Sequence, residues 1–168
     1  MDLELKILVE QIRALHKSIA ELEQTIRRES QKREGHKNLT SIKGIGGLGA
    51  GILLSIIGDI RDFADEGQLA AYFGIVPRIR NSHETEHSGR ITKRGTKLGR
   101  TTLVQCAWIA QRYSPYLKNY YERKKSRGTG KAIIALARKL LGIIYRALKN
   151  WWVFEDFPNF VLAEEAAA

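Results

Sequence analysis

Residues 5–26 carry an unbroken heptad repeat, and this pattern limits the possible folds more than any other feature of the sequence. Apolar side chains recur at alternating intervals of three and four, with Leu5, Ile12, Ile19 and Ile26 at the a positions and Leu8, Leu15 and Leu22 at the d positions. Isoleucine at a with leucine at d favours a two-stranded coiled coil. A helix of about 30 residues is about 45 Å long, too long to be enclosed by a domain of this size. We therefore expect a helical arm that forms a homo-oligomer through residues 5–26; the alternative is a helix packed along its own domain.

The positive charge of the chain is concentrated in one third of its length. The formal net charge is +10, and residues 75–131 alone carry +11, because they hold 14 lysines and arginines against three acidic residues. Such a concentration is typical of proteins that bind a polyanion, most often nucleic acid. The alternative is a solvated basic surface without a partner, but such surfaces usually alternate in sign. The charge distribution therefore predicts a nucleic acid as the partner.

Composition excludes several other classes of protein. A single cysteine, Cys106, excludes an internal disulfide framework and a zinc site built on thiolates. No apolar run approaches the roughly 20 residues of a membrane span, and the N-terminus lacks the layout of a signal peptide. The sequence therefore predicts a cytoplasmic protein that does not associate with membranes.

Glycines are concentrated in residues 39–58, whose sequence is LTSIKGIGGLGAGILLSIIG. The apolar spacing before the first glycine indicates a short helix, Gly44-Ile45-Gly46 indicates a tight turn, and the following residues indicate a second helix. This arrangement resembles a helix-hairpin-helix, whose glycines let a phosphate approach the N–H groups at the start of the second helix. We therefore predict that Gly44 and Gly46 contact the DNA backbone; the alternative is a helix turn that binds nothing.

Four acidic residues follow this motif within a short stretch: Asp59, Asp62, Asp65 and Glu66. Clustered carboxylates can hold a hard cation, but acidic residues are also favoured at helix N-termini. We interpret Asp62 or Asp65 as the cap of the next helix, and we predict no metal site in this chain.

The remainder of the chain predicts a hairpin followed by helices. Residues 75–92 indicate a short two-stranded or irregular hairpin, and the last helix is expected over residues 131–152, with Trp151 and Trp152 closing the core. Four cations lead the helix after the hairpin and are predicted DNA contacts: Lys93, Arg94, Lys97 and Arg100. The sequence thus predicts a mainly α fold, in which an N-terminal coiled-coil helix precedes a helical domain with a helix-hairpin-helix-like motif and a short hairpin.

Several segments, taken in order, resemble one family. They are LTSIKGIGGLGA, GDIRDFADEGQLAAYFGIVPR, NSHETEHSGRITKRGTKLGRTTLVQCAW and GTGKAIIALARKLLGIIYRALKN. They resemble the C-terminal half of insertion-sequence transposases that join a RuvC-like DEDD nuclease domain to a serine-bearing transposase domain. The resemblance covers about residues 5–150 and implies a DNA recombinase in which a serine hydroxyl attacks a DNA phosphodiester. Some members of this family are guided by a bridge RNA, so the resemblance also implies a guide RNA as a possible partner.

The resemblance places the nucleophile a few residues after Pro77, at Ser82. His83 stands where the family usually has glycine, and Ser88, which precedes Gly89, is the rival candidate. Three arginines lie on the same predicted hairpin and are candidate DNA contacts that would neutralise charge on phosphorus: Arg78, Arg80 and Arg90. A serine that merely caps a turn is the alternative to a nucleophile. His83 and His87 are weaker candidates for the base that a serine needs.

The DEDD half of such proteins has no counterpart in this sequence. The resemblance assigns magnesium to that half, so no cofactor is expected in this chain, and its activity alone is expected to be weak. We divide the chain into a coiled-coil arm (residues 1–36), a serine transposase domain (37–155) and a C-terminal tail (156–168). Two other functions remain: a dimeric helix-hairpin-helix module that binds DNA without chemistry, and an inhibitor that pairs with full-length transposase.

Overall fold

The computed structural model describes residues 3–82 and 85–154, and over residues 78–90 only the backbone is considered. The described elements are α1 (Leu3–Gln31), α2 (His36–Ser41), α3 (Gly47–Ile57), a 3-10 turn (Ile60–Asp62), α4 (Glu66–Tyr72), β1 (Pro77–Ser82), β2 (Thr85–Ile91), α5 (Lys97–Tyr113), α6 (Pro115–Lys125) and α7 (Thr129–Lys149). The mainly α fold with one short hairpin is confirmed. No helix in the described ranges is long and apolar enough to cross a membrane. The predicted tail, 156–168, lies outside the described residues.

The core is built around α7, which packs against α2, α4, α5 and α6. Its inward face holds Leu136, Leu140, Leu141 and Ile144, all without solvent exposure. Burying one such side chain contributes about 1.5–3 kcal/mol. The helix therefore fixes the positions of the elements on either side of it.

Side-chain caps fix where the shorter helices begin. The Asp65 carboxylate accepts a hydrogen bond of 2.8 Å from the N–H of Gln68 at the start of α4, so the interpretation of Asp65 as a helix cap is confirmed. Asp59 accepts one of 2.9 Å from the N–H of Arg61. The Arg61 guanidinium also bonds this carboxylate and lowers the pKa of Asp59 to about 2. Asp59 and Asp65 of the acidic cluster thus have structural roles.

Most of α1 projects from the core. All seven side chains of the heptad repeat are between 44% and 63% exposed. Only the C-terminal end of the helix is packed, where Ser30 is buried and lies against Gly51 of α3. A Cβ at Gly51 would fall 2.7 Å from the Cβ of Ser30, so only glycine lets the two helices approach this closely. The alternative in which α1 packs along its own domain is therefore wrong for residues 5–22.

The two tryptophans after α7 do not close the core. Trp151 and Trp152 are 60% and 58% exposed, so this expectation is wrong. The chain reverses there, since Trp151 has a φ of 57°. The carbonyl of Trp152 accepts a hydrogen bond of 2.8 Å from the Asn38 side chain on α2. The backbone is thus tied to the core while the indole rings face solvent.

Candidate nucleic-acid interface

The hairpin places the two candidate serines at different heights. The strands β1 and β2 are antiparallel, with Ser82 paired with Thr85 and Ser88 paired with Ile79. Ser82 is therefore the last residue of β1, next to the tip, whereas Ser88 lies three residue pairs closer to the base. At about 3.4 Å per residue, the two positions are about 10 Å apart along the hairpin. The register therefore places the two candidates at separate positions along the hairpin backbone.

The same register gives the positions of the other hairpin candidates. Arg80 is paired with His87, Arg78 and Arg90 lie nearer the base, and the pairing is irregular between Pro77 and Ile79. His83 lies outside the described residues. The structure thus brings three arginines and both serines onto one two-stranded element.

Two glycines hold the base of the hairpin against the core. The N–H of Lys93 donates to the carbonyl of Gly74 at 3.0 Å, which joins the segment before β1 to the segment after β2. A Cβ at Gly74 would collide with the backbone of Arg94, and one at Gly95 with the backbone carbonyl of Tyr72. Both glycines have positive φ, 65° and 127°. The hairpin therefore leaves the core at a fixed position.

The four cations that follow the hairpin have different surroundings. Arg100 is half-buried, and its Nη1 donates to the carbonyls of Phe73 at 3.3 Å and Lys93 at 3.4 Å. Its guanidinium thus ties together the two segments at the hairpin base. Lys93, Arg94 and Lys97 are exposed. No acidic residue occupies the first turn of α5, so Lys97 adds its charge to the positive end of the helix dipole.

The glycine turn joins α2 to α3. Gly44 has a φ of 105°, and a Cβ there would lie 2.5 Å from the backbone nitrogen of Ala110 on α5. Helix packing alone therefore requires this glycine. Gly46 is the N-cap residue of α3 and makes no side-chain hydrogen bond, and no atom lies within 4 Å of where its Cβ would be.

The next residue, Gly47, lies close to a buried histidine. The Nε2 of His36 has no hydrogen-bond partner among the described residues and lies 3.8 Å from where a Cβ of Gly47 would be.

A groove of about 1130 Å³ opens beside the base of the hairpin. Its lining includes Pro77 of β1, Ile91 of β2 and Glu66 of α4, together with residues of α6, of α7 and of the segments between these elements. Among the side chains that the structure describes, seven cations border the groove: Lys93, Lys124, Arg127, Lys131, Arg138, Lys139 and Arg146. Glu66 is the only carboxylate among these described lining residues. Lys93 is the one predicted DNA contact with a described side chain that lines this groove.

Some groove cations already have partners. Arg146 forms an ion pair of 2.9 Å with Glu66. The Lys139 ammonium lies over the rings of Tyr116 and Tyr120, and Lys124 also lies over Tyr120, all at 5.7–5.9 Å from the ring centres. These contacts hold the lysine side chains in place without neutralising their charge.

Sequence reasoning missed the groove cations of α7 that follow Lys131. Residues 132–168 have no net charge, so this segment does not stand out in a charge profile. The spacing carries a signal, however, because Lys131, Arg138 and Arg146 lie seven and eight residues apart, which places them on one face of a helix. That these residues line one groove with Pro77 and Ile91 of the hairpin is visible only in the folded chain.

A cationic groove and an arginine-bearing hairpin on a helical domain are features of a nucleic-acid-binding protein. Comparison with known proteins gives the family. The model of the Transposase IS116/IS110/IS902 family matches residues 36–122, more than half of the chain. The chain therefore belongs to this family of transposases.

Individual relatives agree with this assignment. The chain is 33% identical over 139 residues to the transposase for insertion sequence element IS1111A of Coxiella burnetii, covering 78% of this chain and 37% of that protein. It is 35% identical over 117 residues to the pilin gene-inverting protein of Moraxella lacunata, covering 67% and 36%. It is 25% identical over 158 residues to the insertion element IS110 43.6 kDa protein of Streptomyces coelicolor, covering 93% and 39%. The chain thus spans less than two fifths of the length of these relatives.

Proposed function

We propose that this chain is a DNA-binding transposase domain in which Ser82 attacks a DNA phosphodiester. The observation that carries the proposal is the position of Ser82, at the end of β1 on a hairpin of a transposase-family domain. The name of the Moraxella lacunata relative, a gene-inverting protein, supports recombination as the reaction class, because inverting a DNA segment requires that strands be cut and rejoined.

The proposed step is a transfer of the phosphoryl group to serine. A bond forms between the Ser82 Oγ and phosphorus while the bond from phosphorus to the leaving sugar oxygen breaks. The hydroxyl proton passes to a base, and the leaving oxygen takes up a proton. Arg78, Arg80 and Arg90 are positioned on the same hairpin to stabilise the charge that develops on phosphorus. Arginine remains protonated and cannot act as the base.

The base is therefore one of the hairpin histidines, His83 or His87, or a group from a nuclease domain. The family resemblance assigns magnesium to such a domain. Within the ranges that the structure describes, no group of three or more His, Cys, Asp or Glu residues could hold a metal ion. The described residues thus do not fit the magnesium site, and we route no step of the reaction through it.

Binding of the DNA backbone is assigned to two further places. Lys93, Arg94 and Lys97 are exposed beside the hairpin base, and Lys97 stands at the positive end of α5. At the glycine turn, Gly46 leaves the start of α3 open, and the unpaired Nε2 of His36 lies beside it.

Covalent trapping tests the proposed nucleophile. The chain is mixed with the nuclease half of a longer relative, magnesium and a labelled nicked DNA junction, and protein–DNA adducts are separated under denaturing conditions. We expect an adduct with the wild type and with Ser88→Ala but none with Ser82→Ala. All three proteins should bind DNA equally, because the substitutions remove a hydroxyl and no charge.

Other outcomes reassign the chemistry. An adduct that survives Ser82→Ala and disappears in Ser88→Ala moves the nucleophile to Ser88. An adduct lost in neither variant ends the serine mechanism. No adduct from the wild type favours the second candidate function, a non-catalytic dimeric DNA-binding module or an inhibitor of full-length transposase. The exposed heptad repeat on α1 favours that candidate, since it offers a surface for pairing with another chain.

A further inference from the structure

We propose that the groove beside the hairpin base holds the sugar–phosphate backbone of a DNA strand next to the position where the hairpin acts. This inference rests on the proposed function, since it assumes that DNA is the substrate. It joins Lys93, Lys124, Arg127 and Lys131, which lie in the basic segment 75–131, with cations of α7 that lie beyond that segment, and so defines one binding surface.

The groove carries an unbalanced positive charge. Glu66 is the only carboxylate among its described lining residues, and it pairs with Arg146 at 2.9 Å. The other six described cations form no ion pair within the part of the chain that the structure describes. Four of the six make no contact with an aromatic ring there either: Lys93, Arg127, Lys131 and Arg138. Like charges lining a cleft repel one another and focus a positive potential inside it, so a polyanion would be attracted into it.

The size of the groove and the chemistry of its lining favour a nucleic-acid strand over a small molecule. Its volume, about 1130 Å³, exceeds the roughly 300–1,000 Å³ typical of small-molecule pockets. Apolar lining residues, among them Ile75, Ile134 and Ala135, offer no hydrogen bond to a base edge. The Tyr120 ring, which could otherwise stack on a base, carries the ammonium groups of Lys124 and Lys139. These features favour contacts to phosphates, which position a strand without reading its sequence.

The groove is continuous with its surroundings. Lys131 and Arg138 follow one face of α7 over about 10 Å. At the start of α7, no atom lies within 4 Å of where a Cβ of Gly128 or Gly130 would be, and the helix begins without a side-chain cap. Pro77 and Ile91, which belong to the hairpin, also line the groove. A strand in the groove would therefore contact the base of the element that carries Ser82.

Salt-dependent DNA binding tests this inference. The test variant combines Arg127→Ala, Lys131→Ala and Arg138→Ala. The matched control combines Arg112→Ala, Lys118→Ala and Arg123→Ala, which removes the same charge from exposed positions outside the groove. Fluorescence anisotropy with a labelled DNA duplex gives the binding constant over a range of salt concentrations. Thermal unfolding of each variant checks that the fold is intact.

Each phosphate contact contributes about 0.9 to the slope of log binding constant against log salt concentration for duplex DNA. We expect the groove variant to lower the slope by about 2.7, and the control to lower it by less than half as much. Equal losses in the two variants would overturn the groove assignment while leaving DNA binding intact. Absence of salt-dependent binding by the wild type would instead overturn the proposed function. A groove variant that loses RNA binding but keeps its affinity for DNA would also overturn the inference.

Discussion

Replacing Ile12 and Ile19 by aspartate should abolish self-association of the arm. Both side chains lie at a positions and are 52% exposed in the single chain, so a partner helix would bury the remaining half of each. Half of the 1.5–3 kcal/mol for a full burial is about 1 kcal/mol per side chain. A dimer contains four of these side chains, so the substitutions remove about 4 kcal/mol. This loss weakens the dimer by about a thousandfold, before the cost of burying unpaired carboxylates.

Sedimentation equilibrium over a range of protein concentrations measures this effect. The control variant, Ala14→Asp with Ala20→Asp, adds the same charge to α1 away from the heptad a and d positions. We expect it to dimerise like the wild type, and circular dichroism should show comparable helix content in both variants. A wild type that stays monomeric at the highest concentration would refute the reasoning, as would a control that dissociates as readily as the test variant.

Two further predictions concern the core. Gly74→Ala should lower the free energy of unfolding by about 1–3 kcal/mol, because Gly74 has a φ of 65° and its Cβ would meet the backbone of Arg94. Gly130→Ala, in the open first turn of α7, should instead be neutral or stabilising. Thermal unfolding compares the two variants, and a Gly130→Ala protein less stable than Gly74→Ala would contradict this prediction. Burial raises the pKa of the Cys106 thiol to about 11, so Cys106 should stay protonated and react slowly with a thiol reagent at pH 8, then quickly in denaturant. A native rate close to that of free cysteine would show that the thiol is accessible.

The sequence predicted those features that depend on local spacing. The heptad repeat predicted a long exposed helix, and the acidic cluster predicted the cap that Asp65 provides, because both patterns lie within a few turns of one segment. Arg100 was predicted only as a DNA contact, yet its guanidinium binds two carbonyls at the hairpin base. The glycine requirement at Gly44 was predicted from phosphate approach, whereas its close neighbour is α5. These two contacts join residues far apart in the chain, and local patterns carry no information about them.

The groove was missed for the same physical reason. Arg138 and Arg146 lie in a segment without net charge, and only the folded chain brings them into one groove with Lys93. The hairpin that carries Ser82 and Ser88 could be predicted, because it follows from a short segment of sequence. The distance between the two serines along the hairpin could not be predicted, because it depends on the strand register, which is irregular between Pro77 and Ile79.

The contact between Ser30 and Gly51 limits how far a partner helix can extend along the arm. Ile26, the last a position, lies one turn before Ser30 on the same face of α1, and its Cγ2 is 3.7 Å from where a Cβ of Gly51 would be. The stripe that a partner helix would cover therefore runs directly into α3. Ile26 is still 44% exposed, but α3 lies against one side of it, so the core, and not only the heptad pattern, limits the overlap. In an antiparallel pair, the tip of each arm would meet the other copy's α3, and the length of the arm would set the distance between the two domains.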